Sequence, residues 1–350
     1  MSGLTDREVT EYTAGLWRSR PVPVGEPEPA PEYVYSTVEL PGGRITAARV
    51  RGRKHKHDGT NCDDWYELAS FGEITCIAVS DGAGSAKFSR IGARESCKAA
   101  VNGMVRRLKD AFAERPELGE YLLLPLSDDR CMQACRVLAE VVQRSFLSAV
   151  DAVEAAWRKR SNQPAYGEPR LEDFAGTLLA ALLLPVGGGE CLAAACQVGD
   201  GVIALMDTKT GPVPSVKLMG VPDGGAFSGE TAFLTSIRRV EALQSRTRIA
   251  RCPADMALMM TDGVADDYFP PEPELPRLYH DLAANGVLGD AEGEASPGLR
   301  LKNWLDSYVE RGSFDDRTLV IVSLRGGKEH GPPGGGDLDG RTEDSVCDNG

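Results

Sequence analysis

Two apolar runs in this chain end in the same way. Ile74 to Ser80 (ITCIAVS) leads straight into Asp81-Gly82-Ala83-Gly84-Ser85, and Met256 to Thr261 (MALMMT) leads straight into Asp262-Gly263-Val264-Ala265-Asp266. Each run has the length and composition of a buried strand, so each aspartate stands at a strand end beside a small hydroxyl residue. Two more acidic pairs accompany such elements: Asp315-Asp316 directly precedes the run TLVIVSL, and Asp63-Asp64 lies in the loop ahead of the Asp81 strand. Carboxylates at the ends of buried strands are held rigidly and can converge on one point. Unpaired they repel, and a divalent cation resolves the repulsion. Hard oxygen ligands with no accompanying Cys or His pair suit magnesium or manganese. Gly82 lets the backbone after Asp81 approach such an ion closely. A lone Asp-Gly is ordinarily a turn, and Asp223-Gly224 is read as one. The spacing D-x-[DN]-x-[DN]-G is absent, which excludes an EF-hand.

The elements that must position these groups segregate along the chain. Arg44 to Val50 reads as a strand, and Ile91 to Ala113 and Cys131 to Arg158 as long helices. Thr177 to Leu184 and Cys191 to Gln197 form a hairpin around Pro185-Val186-Gly187-Gly188-Gly189. Leu299 to Arg311 is helical and Thr318 to Leu324 is a final strand. Strands, two long helices, strands, a helix and a last strand predict an α+β fold with helices covering sheets. Residues 1–32 are expected to be a short helix, with Thr5 and Glu8 in a capping box, followed by a solvated Pro/Glu linker, PVPVGEPEPAPE. Residues 33–325 form one folded body. Residues 326–350, Gly-rich and acidic, are expected to be disordered.

Composition narrows the function. Lys and Arg total 39 against 52 Asp and Glu, a net charge of −13. A nucleic-acid binder needs a basic excess to neutralise phosphates, so nucleic acid is not an expected partner. Nine cysteines lie mostly inside apolar runs, as reduced thiols acting as small core hydrophobes. Cys131 and Cys135 are four apart with no second pair at that spacing, which argues against zinc. A Cys-based phosphatase loop, C-x5-R, is also absent: Leu68 and Gly103 stand where Cys62 and Cys97 would need arginine. The N-terminus lacks the apolar core of a signal peptide. The longest apolar stretch, Leu178 to Val186, is far short of the roughly 20 residues of a spanning helix. A cytoplasmic location without membrane association is expected.

Six blocks, in order, give the chain a resemblance to the metal-dependent protein phosphatases of the PPM (type 2C) family, most closely the bacterial subgroup. His55, Gly59, Cys62 and Asp64 resemble the opening H-x3-G-x2-C-Q-D block, with Asp63 for the usual Gln. Residues 78–93 resemble the D-G-A-G-S segment, and Asp173 with Gly176-Thr177-Leu178-Leu179 the G-T strand block. Val198-Gly199-Asp200-Gly201, Met260-Thr261-Asp262-Gly263 and Asp315-Asp316-Arg317-Thr318 resemble the V-G-D, S-D-G and D-N/D-x-T blocks. Ser228 to Leu234 resembles a flap segment of the subgroup.

The resemblance implies a four-layer α-β-β-α sandwich, two antiparallel sheets packed face to face and flanked by helices. It implies hydrolysis of phosphoserine or phosphothreonine on a protein by a metal-activated water, with no covalent enzyme intermediate. Two Mn2+ or Mg2+ ions per chain follow, and a third in bacterial relatives. Asp81 would bridge two metals with the Gly82 carbonyl on one of them. Asp262 and Asp315 would complete the coordination of the second metal, and Asp64 would hold that metal or its water. Asp173 and Asp266 match third-metal positions. The implied partner is a phosphorylated protein, a Ser/Thr kinase or its targets. Gly59 stands where eukaryotic relatives carry a phosphate-binding Arg, leaving Arg53, His55, Lys56 and His57 as candidates for that role, and His55 or His57 for a general acid. Asp316 replaces a common Asn. The alternative reading is a non-catalytic phosphoprotein-binding scaffold, which would be expected to lack one of Asp64, Asp81, Asp262 or Asp315; all four are present.

Overall fold

The structure, a computed structural model, describes residues 17–220, 232–237, 239–289, 295–310 and 313–325. Of the helix expected within residues 1–20, residues 1–16 lie outside these residues and 17–20 are not helical; the tail 326–350, the Asp223-Gly224 turn and most of the Ser228–Leu234 segment also lie outside them.

Eleven strands are seen among the described residues: β1 (Tyr33–Leu40), β2 (Gly43–Val50), β3 (Trp65–Phe71), β4 (Ile74–Ser80), β5 (Leu178–Gly187), β6 (Glu190–Val198), β7 (Val202–Asp207), β8 (Ser215–Leu218), β9 (Thr247–Pro253), β10 (Met256–Met260) and β11 (Arg317–Leu324). They form a six-stranded sheet, β1-β2-β11-β10-β7-β8, and a five-stranded sheet, β3-β4-β5-β6-β9. Every pairing is antiparallel.

Side-chain alternation explains the layers. In β2, Ile45 and Ala47 point between the sheets, and Ala48 and Val50 point to the other face. In β4, Ile77 and Val79 face the inter-sheet core, and Cys76 and Ala78 meet the helices. Both faces are covered, so the central strands read as continuous apolar runs. The helices Ser89–Glu114 and Asp129–Arg160 cover the five-stranded sheet, and Pro271–Ala284 and Pro297–Ser307 cover the other. Three apolar cores therefore separate four layers, the α-β-β-α sandwich. Asp128 caps the longest helix by accepting the Arg130 N–H at 2.9 Å.

Some elements depart from the sequence reading. The last helix ends at Ser307, short of Arg311, where Tyr308 takes extended backbone. Strands β1, β3, β7, β8 and β9 and the helix Pro271–Ala284 were not foreseen. Several of these are short or half-polar edge elements whose pattern is completed by a neighbour. The segment 21–32, expected to be a solvated linker, lies against the body, with Glu28 held by Arg94, Arg160 and Tyr166. Of eight described cysteines, seven are buried, and burial raises their thiols where a shift is seen, as expected of inert core groups. Among the described residues no helix is long and apolar enough to cross a membrane.

Candidate metal centre

Strand β4 delivers Asp81 to the edge of the sandwich, where the turn before β5 fixes it. The Asp81 N–H donates to Thr177 Oγ1 at 2.9 Å, and the Asp81 carbonyl accepts the Thr177 N–H at 2.8 Å. Ser80 Oγ donates to the Thr177 carbonyl at 2.6 Å. Gly82 faces Gly176 in an isolated antiparallel bridge whose bonds belong to the flanking residues Ala83–Ala175 and Thr177–Asp81, so the bridge does not use the Gly82 carbonyl. A Cβ on Gly82 would lie 2.6 Å from the Asp63 carbonyl oxygen, so only glycine lets these two loops approach.

On the opposite sheet, β10 ends at Met260 and Asp262 opens the short helix Asp262–Ala265. Its neighbour Gly263 packs so tightly on the carbonyl of Asp316 that a Cβ there would overlap it. Asp316 is buried and serves as the knot of the site. Its carboxylate accepts the Gly52 N–H and the Asp63 N–H, each at 2.5 Å, and His55 Nδ1 lies 2.9 Å away. Asp316 thus gives His55 a charged partner. Burial opposes a charged His55, but the hydrogen bond and charge of Asp316, with Asp63 and Asp315, raise it to about 9.

Asp64 is buried between the sheets. Its Oδ2 accepts the hydroxyls of Thr261 at 2.8 Å and Thr318 at 2.6 Å, while Oδ1 is buried with no hydrogen-bond partner. Asp81, Asp200 and Asp262 offer carboxylate oxygens all within 4.8 Å of one another. Asp200 comes from the β6–β7 turn, where Gly199 takes φ +119° and Gln197 Nε2 donates to the Gly199 and Gly201 carbonyls at 3.0 and 2.6 Å. Burial, then the charges of Asp200, Asp315 and Asp266, push Asp262 up to about 7. Burial, then Asp262, Asp64 and Asp315, hold Asp81 well above the carboxylate range. Burial, then Asp316, does the same to Asp64 against its two threonine bonds. Asp63 is pushed up to about 7 by burial and Asp316.

A cluster of this kind fits a hard divalent cation. Its donors are carboxylate oxygens, one is orphaned and buried, and their mutual repulsion is relieved by positive charge. A second convergence, His55 with Asp315 and Asp316, is accounted for by the His55–Asp316 hydrogen bond.

The structure thus brings together Asp81 and Asp262, sets Asp64 behind them and places Asp315 within reach of their charge. Asp266 is exposed on the following turn, where Asp262 feels its charge. Asp173 stands apart from both groups of converging ligand atoms: its Oδ2 accepts the Arg170 N–H at 2.8 Å and caps the turn Leu171–Phe174. Asp200 carried no role in the sequence reading, although its V-G-D-G turn was visible.

The basic candidates are mostly engaged elsewhere. Arg53 donates to the Tyr308 carbonyl, Lys56 pairs with Asp306, and His57 Nδ1 accepts the Arg18 N–H. Lys54, not considered from sequence, is exposed, and its Nζ lies 3.8 Å from where a Cβ on Gly84 would sit. Its own N–H donates to the Phe314 carbonyl at 2.9 Å, so its side chain runs from the Asp315 loop to the loop that follows Asp81.

Because Gly263 seats the Asp262 turn on Asp316, Gly263→Ala is expected to push the two loops apart. The overpacking should cost about 1–3 kcal/mol of stability. Thermal melts should also show that added Mn2+ stabilises the variant less than the parent; an equal manganese response would refute this coupling.

Comparison with known proteins agrees with this geometry. Residues 51–305 match the family model described as Protein phosphatase 2C. The chain therefore belongs to the protein phosphatase 2C family. Among solved structures, a serine-threonine phosphatase 2C from Toxoplasma gondii is 12% identical, with a TM-score of 0.53 over 85% of this chain and 100% of that one. The serine/threonine phosphatase Stp1 from Staphylococcus aureus is 13% identical, with a TM-score of 0.46 over 88% of this chain and 99% of that one. The first of these supports the shared fold. No curated protein sequence gave a significant match.

Proposed function

We propose that this chain is a metal-dependent phosphatase that hydrolyses phosphoserine and phosphothreonine on proteins. The observation that carries the reading is the convergence of Asp81, Asp200 and Asp262 beside the orphaned oxygen of Asp64. Asp81, Asp200, Asp262 and Asp315 would hold Mn2+ or Mg2+, with Asp64 behind them and the Gly82 carbonyl available as a further ligand. Asp266, at the rim, and Asp173, through exchange of its capping bond, are the candidates for a third ion. Bound divalent cations supply Lewis acidity, lowering the pKa of water and offsetting phosphoryl charge.

The chain's own groups do the rest. The hydroxyls of Thr261 and Thr318 fix the orientation of Asp64. The His55–Asp316 pair locks the loops that carry Asp63 and Asp315, a positioning role. Lys54 offers a mobile cation at the mouth of an otherwise acidic site, suited to a phosphate dianion. A phosphorylated protein, such as a kinase target, is the substrate class this arrangement suits.

The test is release of phosphate from a phosphothreonine peptide in Mn2+, blocked by chelator. Tight binding of the peptide without release would favour the scaffold reading instead. Lys54→Ala should raise KM for a small phosphate ester about tenfold, the worth of one charged hydrogen bond, and leave manganese affinity unchanged. An unaltered KM would remove Lys54 from substrate binding.

A further inference from the structure

The segment 17–32 is fastened to both halves of the sandwich, and the two sets of fastenings flank the carboxylate site. On the side of the six-stranded sheet, the Trp17 ring packs 4.8 Å from Phe314, the residue before Asp315, and 5.2 Å from His57. The Arg20 N–H donates to the Lys56 carbonyl at 2.8 Å. Arg51, next to the Gly52 that holds Asp316, is buried; its guanidinium donates to Glu32 at 2.6 Å and to the Arg20 carbonyl at 2.9 Å.

On the side of the five-stranded sheet, the partners are different. Arg90 lies in the first turn of the helix that follows the Asp81–Ser85 loop. It donates to the Glu28 and Pro27 carbonyls at 3.0 and 2.6 Å and to the Glu26 carboxylate at 2.8 Å. The Glu28 carboxylate accepts Arg94 at 2.7 Å, Arg160 at 2.6 and 2.8 Å, and the Tyr166 hydroxyl at 2.5 Å. Between the two sets, the Ala30 N–H donates to Asn61 Oδ1 at 2.8 Å, three residues before Asp64.

Two features separate this from an incidental contact. Arg90 and Arg160 are each only 4% exposed, so two buried guanidinium groups depend on the segment for carboxylate partners. Glu28 also sits at φ +49°, a left-handed conformation that a glutamate adopts only when its surroundings impose it. The segment lies before the stretch that matches the family model, which begins at residue 51.

We propose that residues 17–32 are a strap that ties the two sheets together at the mouth of the metal centre, with Trp17 and Glu28 as its positioning residues. Its release separates the Asp315 side of the site from the Asp81 side and weakens metal binding. Metal ligands supplied by two different sheets keep their spacing only while the sheets keep theirs, and groups behind the ligands govern affinity in this way. The inference rests on the metal-centre reading above, so its test has a readout that does not need metal.

Full-length Glu28→Ala and Trp17→Ala proteins are compared with the parent by calorimetric Mn2+ titration without substrate, by limited proteolysis and by hydrogen exchange. Each variant should bind Mn2+ about tenfold more weakly. At saturating Mn2+, turnover of a phosphate ester should fall less than about threefold, since no ligand is lost. Protease should cut within residues 17–32 sooner than in the parent, and Glu28→Gln, which keeps an acceptor, should recover part of the affinity. A strap cut readily in the variants with Mn2+ affinity unchanged would overturn the proposal. If the parent binds no Mn2+, the metal-centre reading fails by itself. The strap is then judged by exchange alone: Glu28→Ala should speed exchange both in Arg53–Asp58 and in Asp81–Gly92, and unchanged exchange in either overturns it.

Discussion

Removing divalent cations with a chelator should abolish hydrolysis of phosphate esters, and Mn2+ or Mg2+ should restore it. Asp64, Asp81 and Asp262 all sit where burial and neighbouring carboxylates disfavour their charged forms. Three of the basic groups near them are committed elsewhere, His55 to Asp316, Arg53 to Tyr308 and Lys56 to Asp306, and Lys54 is exposed at the rim. Among the described residues no side chain supplies the Lewis acid that attack by water on a phosphate ester needs at neutral pH. The metal-free protein should therefore be inactive yet folded, since the three apolar cores do not depend on the ion. Thermal melting should rise on adding Mn2+, because binding to the folded form alone stabilises it by mass action. Full activity after exhaustive chelation would refute the metal reading.

Asp81→Asn should lower activity by at least about 100-fold. The substitution keeps shape and removes the charge that faces both Asp262 and Asp64. The backbone bonds to Thr177 do not involve the Asp81 side chain, so the loop should keep its place. The metal-free variant should melt at the parent's temperature or slightly above it, because an amide escapes the cost that burial and neighbouring carboxylates impose on the Asp81 carboxyl group. Its melting point should respond less to Mn2+. Asp200→Asn should behave in the same way, whereas Asp58→Asn, exposed at the end of the helix Arg53–Asp58, should change little. Equal behaviour of Asp81→Asn and Asp58→Asn would show the ligand set to be wrong.

The sequence by itself determined the framework. Runs such as ITCIAVS and MALMMT are apolar on both alternating faces, with only small hydroxyl residues between, a pattern that suits a strand covered on both sides. Each aspartate that follows had to stand at a strand end. Long amphipathic stretches specified the two helices over the five-stranded sheet in the same local way. These features depend on neighbours within a few residues, where periodicity is a direct record of burial.

What only the tertiary structure decided depends on groups far apart in the chain. Asp200 looked like one more turn residue until the β6–β7 turn was placed beside Asp81 and Asp262. Asp173 fitted a ligand position in sequence, but its carboxylate caps its own turn, a choice set by backbone geometry that residue type does not reveal. The basic cluster Arg53–His57 gave no hint of which cation would be committed, because each partner, Tyr308, Asp306 and Asp316, comes from the other end of the chain. The acidic proline-rich stretch had the composition of a solvated linker. Its glutamates are held instead by Arg51, Arg90, Arg94 and Arg160, and charge pairing across the fold leaves no periodic trace in either partner's local sequence.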